Sequence, residues 1–540
     1  MTAFSLPSTQ ADNKAAFFDA NSAADWLARQ PQANASAMLS ELVTQIQAYN
    51  TYDTAPRDRF KTLEVLRKTI FAVSGDCQRR YENKPLPLLP AEQSVLDSVR
   101  CLWRTCAVAY LHCLQACLER DTSITSNSGK VAHRALSCLR MEQLNGYLAS
   151  AEPEGELWRI LHSVFASAER LGVTLEPVED RLLGETSEST ASGQYCMALL
   201  LHLACPSSLT RSHFAAATRW LARWREQAKI VTRPDADPKS CCIGLDLSQD
   251  RPIHDNLRAA SDARWLSLYG VLRKMRKRVE MLTAGESPES LKLGSGLSSE
   301  SCISLLTQIS DHLRFPQQPE PDLPPGAASV LVAAGLENIH RVLGGKGLND
   351  PMASSSLGSK LSADQIAVFG HVVETENSKV TKIENWWLLR KEADLLQLRR
   401  PADCGDARMV LKGLLAIQLP QFKYYVLASI SQLELRGEKS EASLSVAVNL
   451  YHGEPVPLVA ESREKGSGKI LRYPAFMLPA EEKSNKPVSI ILPAGVTARA
   501  LSIRLYDTRE RSPLDWQLAE LIERNADSEH WSLIRLAPEG

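Results

Sequence analysis

No apolar run in the chain approaches the ~20 residues that a membrane-spanning helix needs. Neither sign of charge dominates: 62 Lys and Arg stand against 63 Asp and Glu, a net charge of -1. No strongly basic or acidic partner is therefore implied for the molecule as a whole. With 27 Gly and 29 Pro, collagen-like and low-complexity classes are excluded. The twelve cysteines include no Cys-x-x-Cys pair with a histidine at finger-like spacing, which argues against a zinc module. Residues Met1 to Lys14 are polar and carry no basic flank ahead of an apolar stretch, so no secretory signal is expected. What is present is ordinary for a folded protein: 44% hydrophobic and 23% charged residues. At roughly 150 residues per domain, the 540 residues make three or four domains. The expectation is a cytoplasmic multidomain protein without membrane insertion.

Catalytic motifs are also scarce. Gly466-Ser467-Gly468-Lys469 resembles the end of a phosphate-binding loop, but Arg463 and Glu464 stand where the earlier glycine belongs. Ile470 replaces the hydroxyl residue that would meet Mg²⁺. Gly344-Gly345-Lys346-Gly347 lacks that hydroxyl as well. There is no Gly-x-Ser-x-Gly elbow and no His-Glu-x-x-His pair, and the eleven histidines are scattered. No catalytic residue, metal ligand or cofactor is assigned. Cys106, Cys113 and Cys117 fall on one helical stripe and read as small hydrophobes.

The period of hydrophobicity divides the chain. From about residue 14 to 345 it is helical. Val95, Val99, Trp103, Cys106, Tyr110, Cys113 and Cys117 recur every three or four residues behind Pro90, which suits a helix start. Leu157, Leu161, Val164, Phe165 and Ala168 repeat the design, with Gly172 as a C-cap. A third stripe runs through Trp265, Leu268, Leu272, Met275, Val279 and Leu282. Further helical segments are expected near 22–29, 35–50, 57–82, 131–149, 192–205, 209–227, 299–314 and 327–344, about eleven helices in all. Residues 241–247 read as a short strand within this region. Pro316 to Gly326 holds five prolines and is extended, and Ser/Gly-rich residues 346–363 read as a linker.

Beyond residue 364 the period becomes two. Leu444, Val446, Val448 and Leu450 alternate with polar or small residues, as do Leu501, Ile503 and Leu505. Tyr424, Val426, Ala428 and Ile430 share one phase, and Leu433 and Leu435 take the other, which predicts a bulge. Short strands between Gly, Pro and Asn turns favour a small antiparallel barrel. About ten strands are too many for one such barrel, so two β units are expected. The fold class is α+β multidomain: an all-α domain over 1–345, a linker over 346–363, a barrel over 364–462 and a second small β unit over 463–540.

Charge is concentrated at one place. Arg273, Lys274, Arg276, Lys277 and Arg278 lie on the third helix, away from its apolar stripe. Only Trp265 and Tyr269 are near, and Trp265 belongs to the stripe, so the cluster reads as a solvated helix face and no nucleic acid partner is expected.

Several short words carry a family resemblance. They are Arg80-Tyr81-Glu82-Asn83-Lys84-Pro85-Leu86-Pro87-Leu88, Leu102-Trp103, Ala109-Tyr110, Trp220-Leu221-Ala222-Arg223-Trp224 and Gly413-Leu414-Leu415-Ala416-Ile417. In segment order and in these words the chain resembles proteobacterial proteins with a long helical N-terminal region and a C-terminal PilZ-like barrel, some of them labelled molecular chaperones. The resemblance implies a cyclic di-GMP receptor or a degenerate relative. A standard site of that kind has Arg-x-x-x-Arg ahead of the barrel and Asp/Asn-x-Ser-x-x-Gly in it. No arginine occurs from Val342 to Leu389, and Arg390, Glu392 and Leu395 stand where Asn, Ser and Gly are expected after Trp386. Glu repels a dianion, and Leu cannot replace Gly at a close approach.

The resemblance therefore implies a barrel that has lost its standard site, in a non-enzymatic signalling adaptor that binds a protein partner. The alternative is a cyclic di-GMP receptor with a rebuilt site drawn from Arg390, Arg399, Arg400 and Trp386. An uncharacterised enzyme is the third reading. Trp386 and Trp387 are expected to face opposite ways.

Overall fold

The computed structural model describes residues 4–535 apart from 31–33, 185–187, 235–240, 255–261, 317–322, 324–325, 347, 349–380, 406, 438–441, 466–467, 482–485 and 508–512. By its contacts the chain divides into two units, Met1–Lys84 with Leu88–Pro319, and Pro85–Pro87 with Glu320–Gly540. The linker expected over 346–363 lies almost wholly outside the described residues.

The first unit is built on helices α1 (Ala20–Arg29), α2 (Ala35–Asn50), α3 (Pro56–Gln78), α4 (Pro90–Leu118), α5 (Ser128–Leu148), α6 (Gly155–Leu171), α7 (Ala191–Leu203), α8 (Arg211–Trp224), α9 (Tyr269–Thr283) and α10 (Ser299–Arg314). Their ends follow local chemistry. Asp19 accepts the Ser22 N–H at 2.8 Å ahead of α1. Proline opens α3 and α4, where its missing N–H costs nothing. Gly172 ends α6 with φ 72, a left-handed position that suits glycine. The stripe of α4 is buried from Val99 through Trp103, Cys106, Tyr110 and Cys113 to Cys117.

Helix α5 departs from the one-stripe expectation. It is buried almost all round, including His133, Arg134, Arg140, Glu142, Gln143 and Asn145. Strands β1 (Val178–Glu179) and β2 (Glu188–Ser189) form a ribbon. β3 (Lys229–Val231), β4 (Cys242–Asp246) and β5 (Ala263–Ser267) form a sheet in the order β3-β5-β4. The short strand expected at 241–247 is β4. Trp265, expected on the third helical stripe, instead lies in β5, paired with Gly244 and Val231; α9 begins four residues later. Among the described residues no helix is long and apolar enough to cross a membrane.

In the second unit six antiparallel strands close a barrel in the order β10-β11-β8-β7-β6-β9. They are β6 (Ser329–Ala334), β7 (Glu384–Glu392), β8 (Leu395–Pro401), β9 (Leu414–Gln418), β10 (Val426–Arg436) and β11 (Ser443–Leu450). The helix expected over 327–344 is two elements, β6 and then α11 (Leu336–Val342). Gly335 between them holds φ 84, which no continuous helix accommodates. The slip expected after Ile430 is present as a register shift between Ile430 and Gln432.

A second six-stranded sheet follows in the order β15-β12-β13-β14-β17-β16. Its strands are β12 (Val456–Glu464), β13 (Ile470–Leu478), β14 (Ser489–Pro493), β15 (Ala500–Asp507), β16 (Trp516–Arg524) and β17 (Ser528–Arg535). Its own core gathers Leu458, Ala460, Ala475, Ile490, Leu492, Leu505 and Leu533. The α+β multidomain class, with helices, a closed barrel and a further sheet, is what the structure has.

Candidate functional site

The four nucleotide-site candidates lie on β7 and β8, which pair through Trp387–Arg399 and Leu388–Leu398 and then shift register before Arg390–Gln397. Strand alternation separates them. Trp386 and Arg400 are buried inside the barrel wall. The Arg400 guanidinium lies 5.6 Å from the Trp386 ring centroid. It donates to the Ala407 carbonyl at 2.9 Å and approaches Glu384 at 3.4 Å. The Trp386 indole N–H also donates to Glu384, at 3.0 Å. Burial pushes the Arg400 pKa down, against the Glu384 carboxylate.

Arg399 belongs to the other phase of β8, between Trp387 of β7 and Ser445 of β11. Arg390, whose side chain is half exposed, is ion-paired with Glu392 at 2.5 Å. Glu392 and Leu395 close the β7–β8 hairpin. The structure therefore brings together Trp386 with Arg400, and Arg399 with Trp387; it does not converge all four candidates on one surface.

The helical unit holds a larger polar constellation that the sequence reading missed. Asp180 accepts hydrogen bonds from Arg67 at 2.6 Å and Arg134 at 2.7 Å, both through Oδ2. Glu64 meets Arg134 at 3.1 Å and Lys130 at 3.0 Å, and accepts the Tyr110 hydroxyl at 2.9 Å. Burial opposes the Glu64 charge, but Arg134, Arg67 and Lys130 outweigh it and hold the carboxyl below its ordinary value.

His133 Nδ1 faces Arg134 at 3.1 Å, so Nε2 carries the proton toward Ser189 Oγ at 2.6 Å. Burial first, then the Arg134, Arg225, Arg67 and Arg140 guanidiniums, push His133 down to about 2. Arg140 donates to Gln194 at 2.9 Å, and burial with Arg225 pushes it down to about 10. A cavity of about 10 Å³, room for one water, is lined by Arg67, Arg134, Trp103, Cys106, Tyr110 and Cys138. The one available signal was polar residues at every helical phase of α5, a pattern that also fits an exposed helix.

On α9, Arg273, Lys274, Arg276 and Lys277 are exposed, while Val271, Leu272, Met275 and Leu282 are buried. The charge and the stripe thus fall on different faces at these four positions, whereas Arg278, expected with them, is half-buried and donates to Met281 Sδ at 3.7 Å. Burial pushes the thiols of Cys113, Cys138 and Cys196 up to about 12, which removes thiolate chemistry at neutral pH. Among the described residues no group of three His, Cys, Asp or Glu is placed to hold a metal ion.

Residues 21–235 match the family model described as the N-terminal domain of the cyclic-di-GMP receptor FimW. That segment runs from α1 through β3 and includes the Arg67–Asp180–Arg134 constellation; it does not reach the barrel. No curated protein and no solved structure matches the chain.

Proposed function

We propose that the chain is a non-enzymatic cytoplasmic signalling protein, a cyclic di-GMP receptor whose barrel is a PilZ-like module and whose helical unit engages a protein partner. The similarity of residues 21–235 to the FimW N-terminal domain carries this reading. The chemistry of the ligand agrees with it. Cyclic di-GMP offers two phosphodiesters, which guanidinium forks hold well, and two guanines, which stack on flat side chains. Arg399 opposite Trp387, with Arg390 at the neighbouring hairpin, supplies both on the outer phase of β7 and β8. Arg400 and Trp386 then act from inside the wall, fixing the strands. Glu392 is the opposing element, since it already occupies Arg390.

Titration calorimetry of cyclic di-GMP into the full-length protein tests the reading. Micromolar heat is expected, weakened at least tenfold (about 1.4 kcal/mol) in Arg390→Ala/Arg399→Ala and strengthened in Glu392→Gln. A flat trace with folded protein overturns the receptor reading. It favours the adaptor with a lost site, for which Arg390 spent on Glu392 and Leu395 at the glycine position are the specific observations.

A further inference from the structure

Pro85, Leu86 and Pro87 lie in sequence between α3 and α4, yet by their contacts they belong to the second unit. The Leu86 N–H donates to the Met409 carbonyl at 2.8 Å, and the Met409 N–H donates back to the Leu86 carbonyl at 2.7 Å, an antiparallel bridge. Arg408 serves the flanking carbonyls. Its Nε donates to the Pro85 carbonyl at 3.1 Å and to that of Pro87 at 3.0 Å, and its Nη2 donates to Pro85 at 2.7 Å. Proline has no N–H, so Leu86 carries the sole backbone donor of the triplet. That donor and all three carbonyls are matched by two consecutive residues. Leu86 is 1% exposed and Met409 3%, so the apolar side chains are enclosed as well.

The receiving residues are held by contacts of their own. On one side the Ala407 N–H donates to Glu384 at 3.3 Å, and the Ala407 carbonyl accepts from Arg400 at 2.9 Å. On the other side the Gly413 N–H donates to the Val410 carbonyl at 3.0 Å, and the Lys412 N–H to the Ile430 carbonyl at 2.9 Å. A Cβ at Gly413 would stand 2.9 Å from the Val410 carbonyl, so this turn is tight. Arg408 and Met409 are therefore presented between points fixed on β7, β8 and β10, which lowers the cost of ordering them around a ligand.

We propose that Arg408 and Met409 form a peptide-recognition site of the barrel unit, that its ligand is an extended Pro-aliphatic-Pro segment, and that Pro85–Leu86–Pro87 is the chain's own occupant. Each feature of the ligand has its reader. Flanking prolines hold the segment extended before it binds, so little entropy is lost. Their carbonyls meet a guanidinium, whose planar fork serves both acceptors at once. The central residue offers an N–H and an apolar side chain, which excludes a third proline and any charged residue. A tethered occupant acts at an effective concentration on the millimolar scale, so the site is closed by default. A partner bearing the same motif enters by displacing it. This recognition uses neither Arg390 nor Arg399 and does not depend on cyclic di-GMP.

The test uses full-length protein and a fluorescein-labelled peptide of residues 83–88, with binding read by fluorescence anisotropy. In Leu86→Asp the chain's own segment no longer fills the site, so this variant is expected to bind the peptide about tenfold or more tighter than wild type does. Adding Arg408→Ala to Leu86→Asp should weaken that binding about tenfold or more. The same peptide carrying Asp in place of Leu86 should not bind. If Leu86→Asp does not fold, Leu86→Ala takes its place in the same comparisons, because it weakens the tethered occupant while the free peptide keeps its leucine. A folded Leu86 variant that takes up no peptide, equal binding by variant and wild type, or binding that survives Arg408→Ala overturns the proposal and leaves Pro85–Leu86–Pro87 as a fixed structural contact.

Discussion

In the helical unit Asp180 is buried and receives two guanidiniums, Arg67 at 2.6 Å and Arg134 at 2.7 Å. In the β unit Asp527 accepts the Leu414 N–H at 3.1 Å and is hydrogen-bonded by Ser528, and among the described residues no guanidinium pairs with it. The helices bring arginines with long stems and five donors each, so one side chain reaches across a helix pair and satisfies an acid on the far side. The β16–β17 turn brings Asn525, Asp527 and Ser528, whose short side chains end where the two sheets meet. Unpaired buried atoms in the helical unit, such as Asn50 Oδ1, Gln143 Oε1 and Thr218 Oγ, sit on three different helices. In the β unit the acid meets short neutral side chains, with Ser528 hydrogen-bonded to Asp527 and Asn525 donating to Tyr451 Oη at 3.4 Å. Long side chains bring a counter-charge to a distant acid, whereas short ones offer a carboxylate only neutral hydrogen bonds.

The sharpest way to break this comparison is Asp180→Ala. It leaves Arg67 and Arg134 buried without their common acid, and removing one partner of such a pair costs about 3–5 kcal/mol. Urea unfolding of the full chain should show that loss. Asp527→Asn should cost little or stabilise, because it removes a half-buried charge that no cationic side chain compensates among the described residues. Equal losses at the two positions would mean that the β-unit acid is as well compensated as the helical one.

A smaller effect sharpens the comparison inside the barrel. Arg400 stacks over Trp386 and bonds to the Ala407 carbonyl, so Arg400→Ala should cost about 2 kcal/mol through lost packing and an unmet acceptor. Arg399→Ala, one residue away in the outward phase, should stay within about 0.5 kcal/mol in the same urea titration. For cyclic di-GMP binding the order should reverse, Arg399 mattering more than Arg400. A single ranking in both measurements would show that the strand phase does not separate support from binding.

The sequence made these places unequally legible. Strand alternation is local, so the bulge after Ile430 and the opposite facing of Trp386 and Trp387 could be read from spacing alone. The same rule, applied to Arg399 and Arg400, already separates two residues that were grouped as one site. The boundary at Gly335 was misread because Val332, Leu336, Ile339 and Leu343 satisfy a helical period that runs across it. The Asp180 network was invisible for a different reason. Arg67 and Arg134 stand 113 and 46 residues from Asp180 in the chain, and no periodicity records which acid a buried arginine meets.

The most specific effect comes from His133. Burial and the surrounding guanidiniums push it down to about 2, against an ordinary value of 6.5. Below pH 6.5 the unfolded chain takes up a proton that the folded protein refuses. The stability that neutral His133 supports is therefore complete above about pH 6.5 and is lost as pH falls, by about 1.4 kcal/mol per pH unit. Asp527 has the opposite sign: burial raises its pKa, so the folded protein holds that proton to higher pH than the unfolded chain does, and acid favours the β unit there. His133→Gln keeps a donor for Ser189 but cannot titrate. Urea midpoints at pH 7.5 and 5.0 should show the acid-side slope of the helical unit reduced by about one proton in that variant. An unchanged slope would mean that the arginine ring around His133 opens before the histidine is forced to stay neutral.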